Sequence, residues 1–345
     1  MSRSKKKERT VNKMDFATGF ATGWAMGKKM FEGGGGEPGE DWTPPSDWPD
    51  IPEPSDYEMF FLIDVSAVPQ TFSFTATNPT DATSGVGALS IDWGDGSISD
   101  FTDNEWRTSD CTHEYNATGK YVVKVSASAT SCFLQQIKAR DSNGQSILLM
   151  AKLGSEIILN NGSYSHTQEA FREHCHLRYV KFGGKGGLPN SNAFFGDFAL
   201  CKVDITIPPT IIPSGTFNYT YSLKKFDFSE VVLVYGYGVY FSGFEEICMP
   251  KCKTVGDHGV HYNNSLKRID LPLCTSIESG GLCQNQSLKD ISLPSCTNIG
   301  RDGMDSDYAL KRITIAEGCI FGKNCFAHCY SLSPHPDGST DYPIP

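Results

Sequence analysis

Two patterns of hydrophobic and polar positions follow each other along the chain, and both predict β structure. Between residues 57 and 140, short runs alternate apolar and polar residues, and turn-forming Gly, Pro, Asn and Asp separate the runs. Such alternation is typical of strands that bury one face. Between residues 141 and 332, a single apolar anchor recurs at intervals of 21 to 23 residues. This period predicts a solenoid, in which neighbouring repeats share one core.

The repeat unit is clearest in three consecutive copies, at residues 265–286, 287–308 and 309–330. Each copy begins with a pattern typical of a short strand, and a proline ends the strand in the first two copies. The apolar anchors of the array are Leu177, Leu200, Leu223, Phe244, Leu266, Leu288, Leu310 and Leu332. We expect these side chains to point inward, and the strands to form a parallel sheet along one face of a curved rod.

The repeat resembles the BspA-type leucine-rich repeat. The segments that carry the likeness are AFREHCHLRYVKF (170–182), LCQNQSLKDISLPSCTNI (282–299) and CFAHCYSL (325–332). The resemblance covers about residues 155–332, although the copy at Leu200 departs from the pattern because its proline is delayed to Pro208. It implies adhesion or ligand recognition at a microbial or viral surface. It names no ligand, because a fold does not imply a function.

The segment before the repeats carries a second motif. Trp93-Gly94-Asp95-Gly96 predicts a tight hairpin turn, and His113-Glu114-Tyr115 and an alternating strand from Gly119 to Val125 follow it. This series resembles the PKD (polycystic kidney disease) domain, an immunoglobulin-like β-sandwich, over about residues 57–139. The resemblance implies a non-catalytic module that spaces or positions its neighbours. The fold class is therefore mainly β, an immunoglobulin-like sandwich followed by a leucine-rich-repeat solenoid.

The side chains of this second motif have expected structural roles. Trp93 is expected in the core, with Tyr115 packed nearby and its hydroxyl bonded to the backbone. His113 is expected to pack as a structural histidine rather than to bind a metal. Carboxylates that offer oxygens to Ca²⁺ are Asp92, Asp95, Asp100 and Asp103. Calcium is left open, because aspartates in turns account for the same residues.

Residues 1–31 form a separate segment in which a glycine recurs at every fourth position. Such glycines give a helix one smooth stripe that allows close backbone approach. The stripe and the aromatic residues beside it are Phe16, Gly19, Phe20, Gly23, Trp24 and Gly27. Interior glycines cost a helix about 1 kcal/mol each, so we expect this segment to become ordered only against a partner. We interpret it as a docking segment, with a disordered tail as the alternative.

Residues 32–56 form an acidic linker rich in Gly and Pro, and residues 333–345 form a C-terminal tail. Glycine runs are flexible and proline-rich runs are extended. Trp42 and Trp48 are unusual in a spacer. They are expected either to anchor on a neighbouring subunit or to lie on the next domain.

Charge and motif content narrow the function classes. The chain has 345 residues, with 40 acidic and 30 basic side chains and a net charge of −10, so no nucleic-acid partner is predicted. No apolar run reaches the ~18 residues that indicate a membrane-spanning helix. The sequence has no nucleophile elbow, zinc-protease helix or phosphate-binding loop. No catalytic residue is therefore predicted, and the protein is expected not to be an enzyme.

The cysteines are expected to be structural. Cys252, Cys274 and Cys296 recur 22 residues apart, and a buried free cysteine behaves as a small hydrophobic residue. A reduced ladder is therefore favoured over a metal site, and no metal or other cofactor is predicted. A disulfide between Cys111 and Cys132 is left open.

Two sets of residues are candidates for ligand binding. The first is aromatic and contains Tyr219, Tyr240 and Tyr262, which are placed in one repeat position so that their rings line up along an edge and stack on sugars. The second is charged and occupies outward strand positions, at Arg268, Asp270, Asp290 and Arg312. A solvated face is the alternative account of the charged set.

These observations lead to a functional hypothesis and an alternative. The chain is expected to be a non-enzymatic host-attachment protein on the virion surface of a bacteriophage or prophage. Its N-terminus would dock onto other virion proteins, and its repeat array would bind a host-surface glycan or protein. The alternative is a BspA-type adhesin at the bacterial cell surface. A carbohydrate-active enzyme is the least favoured class, and a homo-oligomer is left open.

Overall fold

The computed structural model describes residues 42–77, 89–101, 111–127, 132–159, 171–183, 188 and 191–339. These residues all belong to one compact unit that spans residues 35–345. They form strands and turns and contain no helix, so this part of the chain has no helix that is long and apolar enough to cross a membrane. The proposed docking segment, residues 1–31, lies outside the described residues.

Two sheets form the first part of the unit. Their strands are β1 Glu58–Val65, β2 Gln70–Thr77, β3 Leu89–Asp92, β4 Ile98–Phe101, β5 Cys111–Tyr115, β6 Gly119–Ala127, β7 Cys132–Lys138, β8 Leu148–Leu153 and β9 Ile157–Leu159. One sheet has the order β5-β2-β7-β9, and the other contains β8-β1-β6-β3-β4. Phe61 of β1 packs against Phe72 and Phe74 of β2, with ring centroids 5.7 and 5.6 Å apart. The alternating pattern therefore forms a two-layer structure around an aromatic core.

The hairpin after β3 holds the predicted tryptophan core. Trp93 is fully buried, and the hydroxyl of Tyr115 donates to the Trp93 carbonyl at 2.8 Å. The ring of His113 stacks on Trp93, and its Nε2 lies 2.7 Å from a carboxylate oxygen of Asp95. Asp92 accepts a hydrogen bond from the turn backbone at Gly94. Both carboxylates thus stabilise the turn, which accounts for them without calcium.

Fourteen short strands form the repeat array. They are β10 Tyr179–Phe182, β11 Lys202–Ile205, β12 Ile211–Ile212, β13 Leu233–Val234, β14 Val239–Tyr240, β15 Glu246–Cys248, β16 Thr254–Val255, β17 Val260–His261, β18 Arg268–Asp270, β19 Ser276–Ile277, β20 Asp290–Leu293, β21 Asn298–Ile299, β22 Arg312–Ile315 and β23 Ile320–Phe321.

These strands pair in parallel on three sides of a coil. The first side is the six-stranded sheet β12-β13-β16-β19-β21-β23. The second side contains the pair β14-β17, and the third side contains the pairs β15-β18 and β20-β22. Paired residues are one repeat apart, as in Thr254 opposite Ser276. Each repeat of the sequence is therefore one turn of the solenoid.

The two parts of the unit share a sheet. Strand β8 pairs with β1 in the antiparallel sense and with β10 in the parallel sense, so the full order is β11-β10-β8-β1-β6-β3-β4. The sequence-based boundary between residues 140 and 141 lies just before β8. In the irregular copy at Leu200, Val203 of β11 pairs with Val180 of β10, so the strand register is kept.

The described part of the predicted linker lies on this shared sheet. Trp42 is buried, and its ring centroid lies 6.1 Å from that of Tyr179 and 6.2 Å from that of Trp48. Glu53 forms an ion pair with Lys152 at 2.8 Å. Trp42 thus packs within the chain, on Tyr179 of the repeat array rather than on the sandwich that follows the linker in sequence, and Trp48 packs on Trp42.

The solenoid core contains the predicted anchors. All eight anchors are buried. Cys252, Cys274 and Cys296 are fully buried, and each thiol donates to the carbonyl two residues later. Burial raises the pKa of Cys252 to about 11 and that of Cys274 to about 12, so these thiols stay protonated. The side chain of Cys132 lies outside the described residues, so its pairing with Cys111 stays open.

A second ladder of buried polar side chains connects successive repeats. Oδ1 of Asn263 accepts from the backbone of Ser242, Oδ1 of Asn285 accepts from Asn263, and Oδ1 of Asp307 accepts from Asn285. These asparagines and Asp307 are fully buried. The ladder satisfies backbone N–H groups that the turn leaves without a strand partner.

Candidate functional site

Each turn of the solenoid has two corners at which the backbone enters the left-handed region. The first corner is occupied in successive repeats by Asn192, Gly215, Tyr237, His258, Gly280, Asp302 and Asn324. The second corner follows four residues later, at Gly196, Tyr219, Phe241, Tyr262, Gln284, Ser306 and His328. Side chains at equivalent corners therefore lie above one another along the coil.

The central repeats fill these corners and the second side of the coil with aromatic residues. We name this surface the aromatic strip, and it consists of Phe195, Phe198, Tyr219, Tyr221, Tyr237, Tyr240, Phe241, His258, His261 and Tyr262. All are half-buried apart from the buried His261 and the exposed Tyr237. A continuous chain of ring contacts joins them across four repeats.

The aromatic rings at the second corner stack on one another along the coil. Tyr219 and Phe241 are nearly parallel, with centroids 5.5 Å apart, and Phe241 and Tyr262 are parallel at 4.6 Å. Tyr262 also stacks on His261 at 4.5 Å. Tyr240 meets Tyr219, Phe241 and Tyr262 edge to face. Stacking within the strip therefore uses aromatic faces that the sequence-based hypothesis assigned to sugars.

The tyrosine hydroxyls of the strip are available for a ligand. Among the described residues, the structure shows no hydrogen-bond partner for the hydroxyls of Tyr219, Tyr221, Tyr237, Tyr240 and Tyr262, and none of these oxygens is fully buried without a partner. Burial raises the pKa values of Tyr219, Tyr240 and Tyr262. The hydroxyls thus stay protonated and uncharged, and each is able to donate and to accept a hydrogen bond.

The aromatic residues of the second corner share the left-handed backbone conformation of the other repeats. Tyr219, Phe241 and Tyr262 have φ angles of 62°, 49° and 60°. A left-handed conformation costs a residue with a Cβ atom roughly 1–2 kcal/mol, and bulky aromatic residues are rare there. Repeats outside the strip place Gly196, Gln284, Ser306 or His328 at this corner, with the same sign of φ. The conformation therefore belongs to the solenoid turn, and the strip differs in placing bulky aromatic rings there.

The structure corrects one element of the aromatic prediction. It brings Tyr219, Tyr240 and Tyr262 into contact, but Phe241 rather than Tyr240 shares the corner of Tyr219 and Tyr262. The shortened repeat causes this shift, because one residue is missing at Gly243, after the corner and before the anchor Phe244. A Cβ atom at Gly243 would collide with the Tyr221 carbonyl oxygen, so the tighter turn requires glycine.

The charged candidates lie on the third side of the coil, away from the aromatic strip. Arg312 forms an ion pair with Asp290 at 2.7 Å and donates one hydrogen bond to it at 2.9 Å. Arg268 is exposed and Asp270 is half-exposed beside Cys248. Exposed ion pairs contribute little stability, and this pair satisfies two of the four candidates. The structure therefore does not join the charged and aromatic sets into one site.

Sequence reasoning missed a cluster at one end of the strip. Nδ1 of His258 lies 2.8 Å from Nδ1 of His261, and the two rings stack with centroids 4.7 Å apart. Burial, together with the neighbouring His258, lowers the pKa of His261 to about 4. Burial raises the pKa of the Cys283 thiol, and this thiol lies close to both imidazoles. The only available signal was the repeat period, which puts Cys283 one repeat after His261.

Solved structures of other repeat proteins show limited similarity. A leucine-rich repeat protein from Bacteroides ovatus is 17% identical, with a TM-score of 0.45, over 56% of this chain and 52% of that one. The Treponema pallidum leucine rich repeat protein is 15% identical, with a TM-score of 0.35, over 57% and 87% of the two chains. A leucine rich cell surface protein from Faecalibacterium prausnitzii is 17% identical, with a TM-score of 0.37, over 59% and 49%. The chain thus spans about half the length of the first. Similarity at this level carries no information on function.

No curated protein matches the chain significantly. The comparisons with known proteins give no support to a virion role. The resemblance of residues 57–139 to a PKD domain stays a prediction.

The family comparison concerns the repeats. The model for the BspA type leucine rich repeat region matches in 6 copies, over residues 153–242 and 211–333. Together these matches cover slightly more than half of the 345 residues. The chain therefore belongs to the BspA-type leucine-rich repeat family.

Proposed function

We propose that this protein is a non-enzymatic recognition protein of the bacterial cell surface, and that it binds a carbohydrate through the aromatic strip. Family membership supports a role in adhesion or recognition, as the resemblance of the repeats implies. The sandwich would then act as a spacer that holds the repeat array away from its point of attachment.

The observation that carries the proposal is the row of uncharged tyrosine hydroxyls without partners among the described residues. Such a surface fits a ligand that is rich in hydroxyl groups and carries little charge. Rings already fixed by stacking lose little side-chain entropy on binding, which favours recognition at low cost. Recognition would thus rely on hydrogen bonds and ring edges more than on stacking against sugar faces.

Binding to a panel of immobilised glycans tests this proposal. The variant Tyr219→Phe/Tyr240→Phe/Tyr262→Phe removes three hydroxyls and keeps the rings that hold the strip together. At about 1 kcal/mol for each hydrogen bond, the variant should lose ~3 kcal/mol, or roughly 100-fold in affinity.

Tyr57→Phe is the matched control. Tyr57 is half-buried at the start of the sandwich, just before β1 and away from the aromatic strip, so its hydroxyl should not matter. Equal glycan binding by wild type and the triple variant would contradict the proposal, as would turnover of the bound glycan.

A further inference from the structure

Among the described residues, one cluster combines side chains that bind metals, namely His258, His261 and Cys283. A nitrogen from each imidazole and the cysteine sulfur all lie within 4.8 Å of one another. The two Nδ1 atoms are 2.8 Å apart, and one of them donates to the other. Three donor atoms from two residue types thus lie close together.

The solenoid itself brings these residues together. His258 occupies the first corner of its repeat, and His261 lies three residues later in β17. Cys283 occupies the position equivalent to His261 one repeat later, where its carbonyl accepts a hydrogen bond from Tyr262. The parallel stacking of turns therefore fixes the distance between the two histidines and the cysteine.

Space for the His258 ring is provided by a glycine. Gly280 has a φ of +61°, and a Cβ atom added there would collide with Nδ1 of His258. Any other residue would push the imidazole away from His261 and Cys283. The left-handed conformation of His258 itself, with a φ of 53°, is a further cost that the cluster retains.

Two buried polar atoms in the cluster lack hydrogen bonds. Nε2 of His261 and Oε1 of Gln284 are both buried and make none in the described part of the chain. An unsatisfied buried polar atom costs about 1–3 kcal/mol. Gln284 lies close to His261 and partly opposes the lowering of the His261 pKa by burial. The two side chains do not have the geometry of a hydrogen bond. With Nδ1 of His261 bound to a metal, its Nε2 would carry a proton, and Oε1 of Gln284 is the nearby acceptor for that proton.

The donor set selects the class of that group. Imidazole nitrogens with a thiolate are ligands of Zn²⁺ and of copper, whereas Ca²⁺ and Mg²⁺ require oxygen ligands. In a tetrahedral zinc site the two nitrogens stand about 3.3 Å apart, given Zn–N bonds of about 2.0–2.1 Å. The two Nδ1 atoms, now 2.8 Å apart, therefore need to separate by about 0.5 Å for both to bind one metal.

We propose that His258, His261 and Cys283 form a binding site for one transition-metal cation of the zinc or copper class at the end of the aromatic strip. On binding, a metal–sulfur bond replaces the Cys283 S–H bond, and the thiol proton goes to solvent. The proton held between the two Nδ1 atoms moves to Nε2 of the ring that carried it, so that both Nδ1 lone pairs are free for the metal. Three protein ligands leave a fourth position open. This inference does not depend on the ligand of the strip.

Titration of the metal-free protein with Zn²⁺ by calorimetry, in a non-chelating reductant, tests the site. Co²⁺ in place of Zn²⁺ gives an optical readout, because a cobalt–thiolate bond produces a charge-transfer band. We expect one high-affinity metal per chain and a cobalt–thiolate band. Cys283→Ser should abolish the band, and His258→Asn, which keeps a residue tolerant of the left-handed corner, should weaken binding at least tenfold.

Cys248→Ser is the control for adventitious thiol binding, because Cys248 is exposed and lies on the third side of the coil. It should leave the affinity and the band unchanged. Parallel circular dichroism melts show that each variant is folded. The proposal is overturned if the wild type shows no cobalt–thiolate band, or if folded His258→Asn and Cys283→Ser variants bind Zn²⁺ as the wild type does.

Discussion

Replacing Asp307 by Asn should stabilise the protein at neutral pH. Asp307 occupies the ladder position of Asn285, one repeat later, and accepts from the Asn285 backbone at 2.7 Å. In Asn285, the amide nitrogen donates to the carbonyls of Val260 and Leu282. Asp307 has an oxygen in place of that nitrogen, and this buried Oδ2 has no partner in the described part of the chain.

The expected gain follows from the hydrogen bonds that the variant restores. An unpaired buried oxygen costs about 1–3 kcal/mol, and a new hydrogen bond contributes about 1 kcal/mol. Asp307→Asn should therefore raise the free energy of unfolding by about 2 kcal/mol. At roughly 2–4 °C for each kcal/mol in a chain of a few hundred residues, the melting temperature should rise by about 4–8 °C.

The pH dependence gives this prediction a definite sign. Burial raises the pKa of Asp307 well above its usual value. A carboxyl group with a raised pKa in the folded state favours the fold below its unfolded pKa, near 3.9, and loses that contribution as the pH rises toward the folded pKa. The advantage of Asp307→Asn should thus be small near pH 4 and grow toward pH 7.

Urea denaturation of the two proteins at several pH values measures this difference directly. Asp257→Asn is the control, because Asp257 is exposed in a turn of the same array. Equal stability of Asp307→Asn and wild type at pH 7, or an advantage that shrinks with rising pH, would refute the ladder reasoning.

Two further predictions concern the shortened repeat and an ion pair of the sandwich. Gly243→Ala should lower the free energy of unfolding by at least about 2 kcal/mol, since its Cβ atom would collide with the backbone. The control Gly318→Ala has open space around it and should lower the free energy of unfolding by only about 1 kcal/mol. Equal losses of the two variants in urea denaturation would show that the turn at Gly243 is not tight. The Lys124 ammonium and the Ser55 backbone lower the pKa of Glu58 to about 2, so its contribution is present above pH 4.5 and lost as the pH falls toward 2. Glu58→Gln should therefore flatten the stability curve in that acid range, and an unchanged curve would exclude the effect.

The solenoid was predictable because one buried apolar residue in each repeat marks its period. Each buried anchor, from Leu177 to Leu332, recurs with a spacing close to the length of one coil. The core positions of Cys274 and Leu282 follow from the same spacing. A strictly periodic signal of this kind does not require knowledge of tertiary contacts.

Features that depend on contacts between turns were not predictable. Counting back from the anchors placed Tyr240 in the repeat position of Tyr219. The repeat between Leu223 and Phe244 is one residue short, and the sequence alone does not show where that residue is missing. Only the backbone shows that it falls at Gly243. Likewise, Asn263 and Asn285 match glycosylation sequons in the sequence, but the structure buries them as ladder residues.

The site was predicted in part for the same reason. The three tyrosines do meet, because repeats stack in register. The stacking of Tyr219 and Tyr262 on Phe241 was not predicted, since ring orientation depends on the left-handed corner backbone. The cluster of His258, His261 and Cys283 joins residues from two repeats, and no local sequence motif predicts it.

The central claim is that the aromatic strip is the surface that binds the ligand, and hydrogen–deuterium exchange with a glycan identified in the panel tests it most directly. The account predicts that bound glycan slows exchange at residues 217–221, 237–241 and 258–262, which form the corners and second side of the coil. Slowed exchange confined to the third side, at β15, β18, β20 and β22, or to the sandwich strands would contradict it.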